Sequence, residues 1–171
     1  MMTSLVLTVI GPDKPGLVEL LSQTIADNGG NWLESGMSRL AGKFAGILVV
    51  TVPAEGVEAL EQALAGLQDK GLRVTAERSD EAGDSAALQP IRLDLVGHDK
   101  PGIVREISQA LAARHINVER LRTELTSGSM SGEELFKAEA SLMAPADLDL
   151  GELQQALEDI ASDLMVDITL N

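Results

Sequence analysis

The 171-residue chain has no cysteine and no tyrosine, two histidines, three aromatic side chains if His is set aside (Trp32, Phe44, Phe136), and 13 Lys+Arg against 27 Asp+Glu. Each shortage excludes something. Without cysteine there is no disulfide framework, no thiolate zinc site and no cysteine nucleophile. Two histidines without ligand-spaced partners argue against zinc. No Ser/His/Asp constellation, paired-carboxylate motif, P-loop or dinucleotide fingerprint is identifiable, so the chain is read as a non-enzyme with no cofactor. A net charge of −14 opposes approach to phosphate, and three aromatics give few bases a stacking face, so direct DNA binding is disfavoured. The apolar run from Leu5 to Ile10 is too short for a signal core or a membrane span, and Met1 to Ser4 carries no basic segment. These features predict a cytoplasmic protein with no membrane contact. Hydrophobic residues at 44% and charged residues at 23% are a globular balance, and the length fits one medium domain or two small ones.

The chain repeats itself. Gly11-Pro12-Asp13-Lys14-Pro15-Gly16 returns 86 residues later as Gly97-His98-Asp99-Lys100-Pro101-Gly102. At that same offset Leu7, Val18, Ser22, Gln23, Ala26 and Asn31 are identical to Leu93, Val104, Ser108, Gln109, Ala112 and Asn117. Later the offset grows to 92 for Phe44 with Phe136 and 93 for Val57 with Leu150. Most of the insertion falls in the Gly/Ser-rich stretch from Ser127 to Gly132, as expected of a loop.

Each repeat reads β-α-β-β-α-β. Leu5 to Ile10 and Ile91 to Val96 are short branched runs ended by glycine and read as strands. Pro15 and Pro101 suit the first turn of a helix, whose apolar stripe is Leu17, Leu21 and Ile25 in one repeat and Ile103, Ile107 and Leu111 in the other. Gly29, and His115 aligned with it, read as left-handed residues closing those helices. Strands near 31–40, 43–53 and 71–78 with a helix near 56–69 complete repeat one. In repeat two the same elements are predicted near 117–126, 134–144, 163–170 and 149–161. The acidic, aperiodic stretch 80–90 reads as a linker, which divides the chain into domains 1–79 and 91–171. The fold class is α+β: two ferredoxin-like βαββαβ domains in tandem, each a four-stranded antiparallel sheet with two helices on one face.

The other face of each sheet distinguishes the repeats. Outward parity in repeat two carries Arg92, Asp94, Lys137, Glu139 and Ser141, whereas repeat one aligns Val6, Thr8, Ala45, Ile47 and Val49. An antiparallel sheet facing water carries polar residues, so the repeat-one face predicts a cover. The other repeat, a second copy of the chain and another protein all satisfy that requirement. The second strand of each repeat follows neither parity cleanly.

The duplicated loop is the one feature with a defined binding chemistry. Glycine allows close backbone approach, and a helix start presents unpaired N–H groups to a carboxylate. Asp13 and Asp99 are suited to an ammonium group, so the loops have complementary parts for a free amino acid. Each aspartate is equally suited to capping or neutralising its own helix. Asn31 and Asn117, opening the second strands, are second-rank ligand contacts. Lys14 and Lys100 read as solvated. His98, replacing Pro12, would make the second loop pH-sensitive or act as a weak catalytic candidate beside Asp99.

The strand, G-x-D-K-P-G loop and apolar helix, twice in one chain, resemble tandem ACT-domain proteins and most of all the glycine cleavage system transcriptional repressor family. The likeness covers nearly all of the chain outside the linker. Similar D-K-P-G or D-R-P-G loops occur in ACT domains fused to formyltetrahydrofolate deformylase and to uridylyltransferases. The resemblance implies a ferredoxin-like fold, a response to a small amino acid such as glycine, and control of glycine cleavage genes through a LysR-type DNA-binding activator; the expectation of a homo-oligomer rests instead on the apolar face of repeat one. It also implies ligand contacts from Gly11 through Gly16 and from Gly97 through Gly102. The alternative is a separate ACT subunit that controls an enzyme of amino-acid or one-carbon metabolism. His98 and the longer hairpin of repeat two imply that the two sites differ.

Overall fold

A computed structural model describes residues 1–79, 87–127 and 133–171. Most of the expected linker, and most of the Ser127 to Gly132 insertion, lie outside the described residues. The chain forms two compact units, Met1–Ala82 and Gly83–Asn171.

The first unit runs β1 (Met2–Pro12), α1 (Leu17–Asp27), β2 (Asn31–Leu40), β3 (Lys43–Pro53), α2 (Val57–Ala65) and β4 (Arg73–Arg78), with a short 3-10 segment, Gly66–Lys70, after α2. The second repeats the order as β5 (Leu88–His98), α3 (Ile103–Ala113), β6 (Asn117–Ser127), β7 (Glu134–Pro145), α4 (Leu150–Leu164) and β8 (Val166–Leu170). The sheets are ordered β2-β3-β1-β4 and β6-β7-β5-β8, antiparallel throughout. This is the ferredoxin-like arrangement expected from two interleaved β-α-β units.

Alternation places Leu5, Leu7 and Val9 of β1 and Leu48, Val50 and Val52 of β3 on one face, where Leu17, Leu21 and Ile25 of α1 and Leu60 and Leu64 of α2 bury them. The second unit buries Leu93 and Leu95 against Ile103, Ile107, Leu111, Leu153 and Leu157. Its β7 contributes Ala138, Ala140 and Ala144 to the core, so less side-chain volume meets the helices there.

β5 begins at Leu88, ahead of the predicted Ile91, and contains Pro90. The β8 ladder starts only at Leu93, so Pro90 lies where β5 has a strand neighbour on one side, a position that tolerates its missing N–H. The uncertain parity of the second strands has a physical cause. Both β2 and β6 carry an irregularity in register, between Trp32 and Glu34 and between Val118 and Arg120, and one extra residue reverses the alternation.

The helix ends follow the sequence. Gly29 (φ 78°) and His115 (φ 59°) are left-handed, and the N–H groups of Gly30 and Ile116 donate to the carbonyls of Ile25 and Leu111 at 2.9 and 3.0 Å. The helix starts do not. α1 begins at Leu17 and α3 at Ile103, so Pro15 and Pro101 stand before the helices rather than in their first turns. Gly16 (φ 94°, ψ −5°) and Gly102 (φ 90°, ψ 0°) have the third-residue dihedrals of a type II turn, with proline in the preceding position that its fixed φ favours.

Candidate ligand-binding site

In the first unit the loop after β1 is held from two sides. The Asp13 N–H donates to the Gly42 carbonyl at 3.0 Å, and Ala41 (φ 50°) and Gly42 (φ 77°) form the tight turn joining β2 to β3. The loop is therefore fixed to the tip of that hairpin. The hairpin also brings Arg39 beside the loop, with Nε 3.5 Å from Asp13 Oδ2. Asp13, Lys14, Pro15, Gly16, the first turn of α1, Arg39 and Phe44 line an open depression of about 570 Å³.

The chemistry of this depression is two-ended. α1 has no side-chain cap hydrogen bond, so Asp13 does not cap it, and its carboxylate stands beside Arg39. The helix start offers backbone N–H groups and Arg39 a guanidinium, both suited to a carboxylate. Asp13 offers a carboxylate to an ammonium group. Half-buried Phe44, opposite Gly11 and Arg39 in the ladders, gives the depression an apolar side. Arg39 and Phe44 were missed as site residues because only the β2–β3 register brings them to the loop.

Gly11 and Gly97 have a packing role. A Cβ on Gly11 would sit 3.0 Å from the Gly71 carbonyl oxygen, and one on Gly97 would sit 2.7 and 2.8 Å from Val166 Cβ and Cα. The close approach made there is to the chain itself.

The second loop differs. Arg39 faces Phe44 across the hairpin, and the corresponding partner of Phe136 is Leu125, so the second hairpin supplies no guanidinium; Arg105, in the first turn of α3, places its own against Gly102 instead. Asp99 donates its N–H to the Glu134 carbonyl at 3.3 Å but has no ion-pair partner among the described residues. His98 Nδ1 instead stands 3.1 Å from Glu133 Oε2. α3, like α1, lacks a side-chain cap hydrogen bond.

Asn31 and Asn117 are not brought to the loops. Asn31 lies opposite Thr51 and Arg39 opposite Phe44, so the length of β2 separates Asn31 from the site, roughly 26 Å at strand rise. Asn31 follows the end of α1 and cannot serve a ligand at its start. Asn117 repeats this placement, with its amide 3.5 Å from Glu119 Oε1.

The open sheet faces match the outward parity. In the first unit Val6 pairs with Val49, Thr8 with Ile47 and Ile10 with Ala45, an apolar surface on which Ile47 is 52% exposed. In the second, Arg92 stands 3.3 Å from Asp94 and 3.6 Å from Glu139. These carboxylates raise the Arg92 pKa, the hydrogen bond that Arg92 donates to Asp94 most of all. No helix among the described residues is long and apolar enough to cross a membrane.

Two ferredoxin-like units, each with an uncapped helix start after its first strand, define a tandem of small α+β domains. Residues 3–77 match the family model described as the ACT domain, and the second unit repeats the topology and the loop of the matched one. The chain is similar to the glycine cleavage system transcriptional repressor of Escherichia coli (strain K12), 18% identical over 168 residues, which cover 98% of this chain and 88% of the relative. A crystal structure of an unknown protein from Galdieria sulphuraria is 28% identical with a TM-score of 0.84, covering 100% of this chain and 98% of that one. A crystal structure of a candidate glycine cleavage system transcriptional repressor is 21% identical with a TM-score of 0.70, covering 100% and 97%.

Proposed function

We propose that the chain is a non-enzymatic, amino-acid-responsive regulator in the cytoplasm that represses glycine cleavage genes by engaging a DNA-binding activator of the LysR type. The observation that carries this reading is the full-length alignment of both repeats to a protein named as that repressor. The ligand is a small amino acid, with glycine the leading case. Its carboxylate takes the start of α1 and Arg39, and its ammonium takes Asp13. Unit one is taken as the binding unit because Arg39 and Asp13 stand together at its loop. Ligand binding regulates only if the ligand has different affinities for the partner-bound and partner-free states.

The apolar open face of unit one is the surface assigned to the activator. A net charge of −14 disfavours direct contact with the promoter, so the partner supplies the DNA contact. Affinity capture from native extract with and without glycine tests the reading. A glycine-dependent DNA-binding protein in the eluate supports it, whereas a metabolic enzyme would overturn it in favour of an enzyme-controlling subunit.

A further inference from the structure

The core of unit two is thinner than that of unit one where α3 crosses β6 and β7. At the offsets of the repeat, Ala140 stands where unit one has Leu48, and Val118 where it has Trp32. Leu48 is buried and Trp32 packs on the core of its unit. Ala138 and Leu121 are larger than the aligned Gly46 and Ser35, but Leu121 is 51% exposed and returns only part of the lost volume. A cavity of about 50 Å³ remains between α3 and β6, with Ala138 and Ala140 at its base and the exposed Val104, Val118 and Leu121 at its mouth.

The lining decides what this space can hold. Its wall exposes no polar atom, and its one polar side chain, Ser108, donates its hydroxyl to the Arg105 carbonyl at 3.1 Å. A water molecule there would find none of the two to four partners that hold buried water, so the cavity is dry or filled by carbon. An empty apolar wall forfeits dispersion contacts, and an entering apolar group restores them without desolvating any polar one. No charged residue lines the space, in contrast with Asp13 and Arg39 in the depression of unit one. The volume is roughly a third of the ~150 Å³ with which an engineered apolar cavity holds benzene, so it suits the two methyl groups of a branched chain rather than a ring. The space runs inward beneath α3 to the buried Leu93 and Leu95, a depth that fits a small molecule better than a flat protein surface.

We propose that this cavity is a binding site in unit two for a small molecule whose buried end is a branched aliphatic group, with any polar group left in water at the mouth. The site shares no residue with the depression of unit one, so either assignment can fail without the other. Xenon and 2-methylpropan-1-ol are the probes, read by NMR on the full chain with labelled methyl groups. Xenon should shift the methyl resonances of Ala138 and Ala140, and the methyl protons of the alcohol should cross-relax with them, both saturably. Ethylene glycol, which has no methyl group, should do neither. Ala140→Leu, which restores the residue of unit one, should abolish both responses and leave the resonances of unit one in place. Val118→Trp, at a position 38% exposed, should do the same and serves if the first variant perturbs the fold. Alanine methyls that ignore both probes, an equal response to ethylene glycol, or responses that survive in both variants would overturn the proposal. Uptake seen only in dilute chain would overturn it as well, because the occupant would then be a side chain of a second copy.

Discussion

Asp13 Oδ2 lies 3.5 Å from Arg39 Nε, joining the loop after β1 to the far end of β2. The Arg39 side chain is 72% exposed, so the pair adds little to stability. Its consequence is positional: a carboxylate and a guanidinium stand side by side at an uncapped helix start, oppositely charged ends for one zwitterion.

Asp13→Ala and Arg39→Ala should therefore each weaken glycine binding while lowering stability by only about 0–1 kcal/mol. Asp99→Ala should leave binding near that of the parent, since Asp99 has no ion-pair partner among the described residues whereas Asp13 pairs with Arg39. Calorimetry paired with melting curves measures both. Binding unchanged in the first two variants, or lost only in Asp99→Ala, would refute the assignment to unit one.

Ile47→Glu should fold normally, because Ile47 is half exposed between Thr8 and Gly36, and surface substitutions usually cost within about 0.5 kcal/mol. Capture of the activator should fall, since burying an unpaired carboxylate in an apolar contact is unfavourable. Circular dichroism and pull-down provide the readouts. Undiminished capture would mean that the face does not meet the partner, and wholesale unfolding that it packs within the chain.

Glu152 accepts two hydrogen bonds from the Arg114 guanidinium, at 2.8 Å from Nε and at 2.6 Å from Nη2, between the end of α3 and the start of α4. The hydrogen bonding holds the Glu152 carboxyl below the usual carboxylate range, against a smaller opposing effect of burial. A carboxyl depressed in the folded state stabilises above its unfolded pKa and loses that contribution as pH falls through the folded value. Glu152→Gln should melt below the parent at neutral pH, and the gap should close in acid. Parallel melting curves across that range would contradict the assignment.

Gly97→Ala should destabilise by about 1–3 kcal/mol, because the added methyl group meets the Cβ and backbone of Val166 rather than a movable side-chain tip. The midpoint of urea unfolding measures it. A parent-like midpoint would show that β8 can move aside.

The purified chain should give no sequence-selective shift of promoter DNA at moderate salt, since 27 acidic against 13 basic residues disfavour neutralising phosphate. Tight selective binding by the isolated chain would displace the partner-mediated reading.

Most of the fold was legible in the sequence because its signals are local. The Leu17, Leu21, Ile25 stripe marked α1, and Gly29 with His115 marked left-handed helix ends, each set by residues within one or two turns. The 86-residue repeat then allowed one unit to be read from the other. The site was only half legible. Asp13 and the loop stand together in the chain, but Arg39 reaches Asp13 through the pairing of β2 with β3, and Leu125 removes its counterpart through the same register in unit two. The distance of Asn31 from the loop and the contact of Gly97 with Val166 were likewise tertiary decisions. Strand pairing joins residues distant in sequence, and no local periodicity encodes which of them will meet.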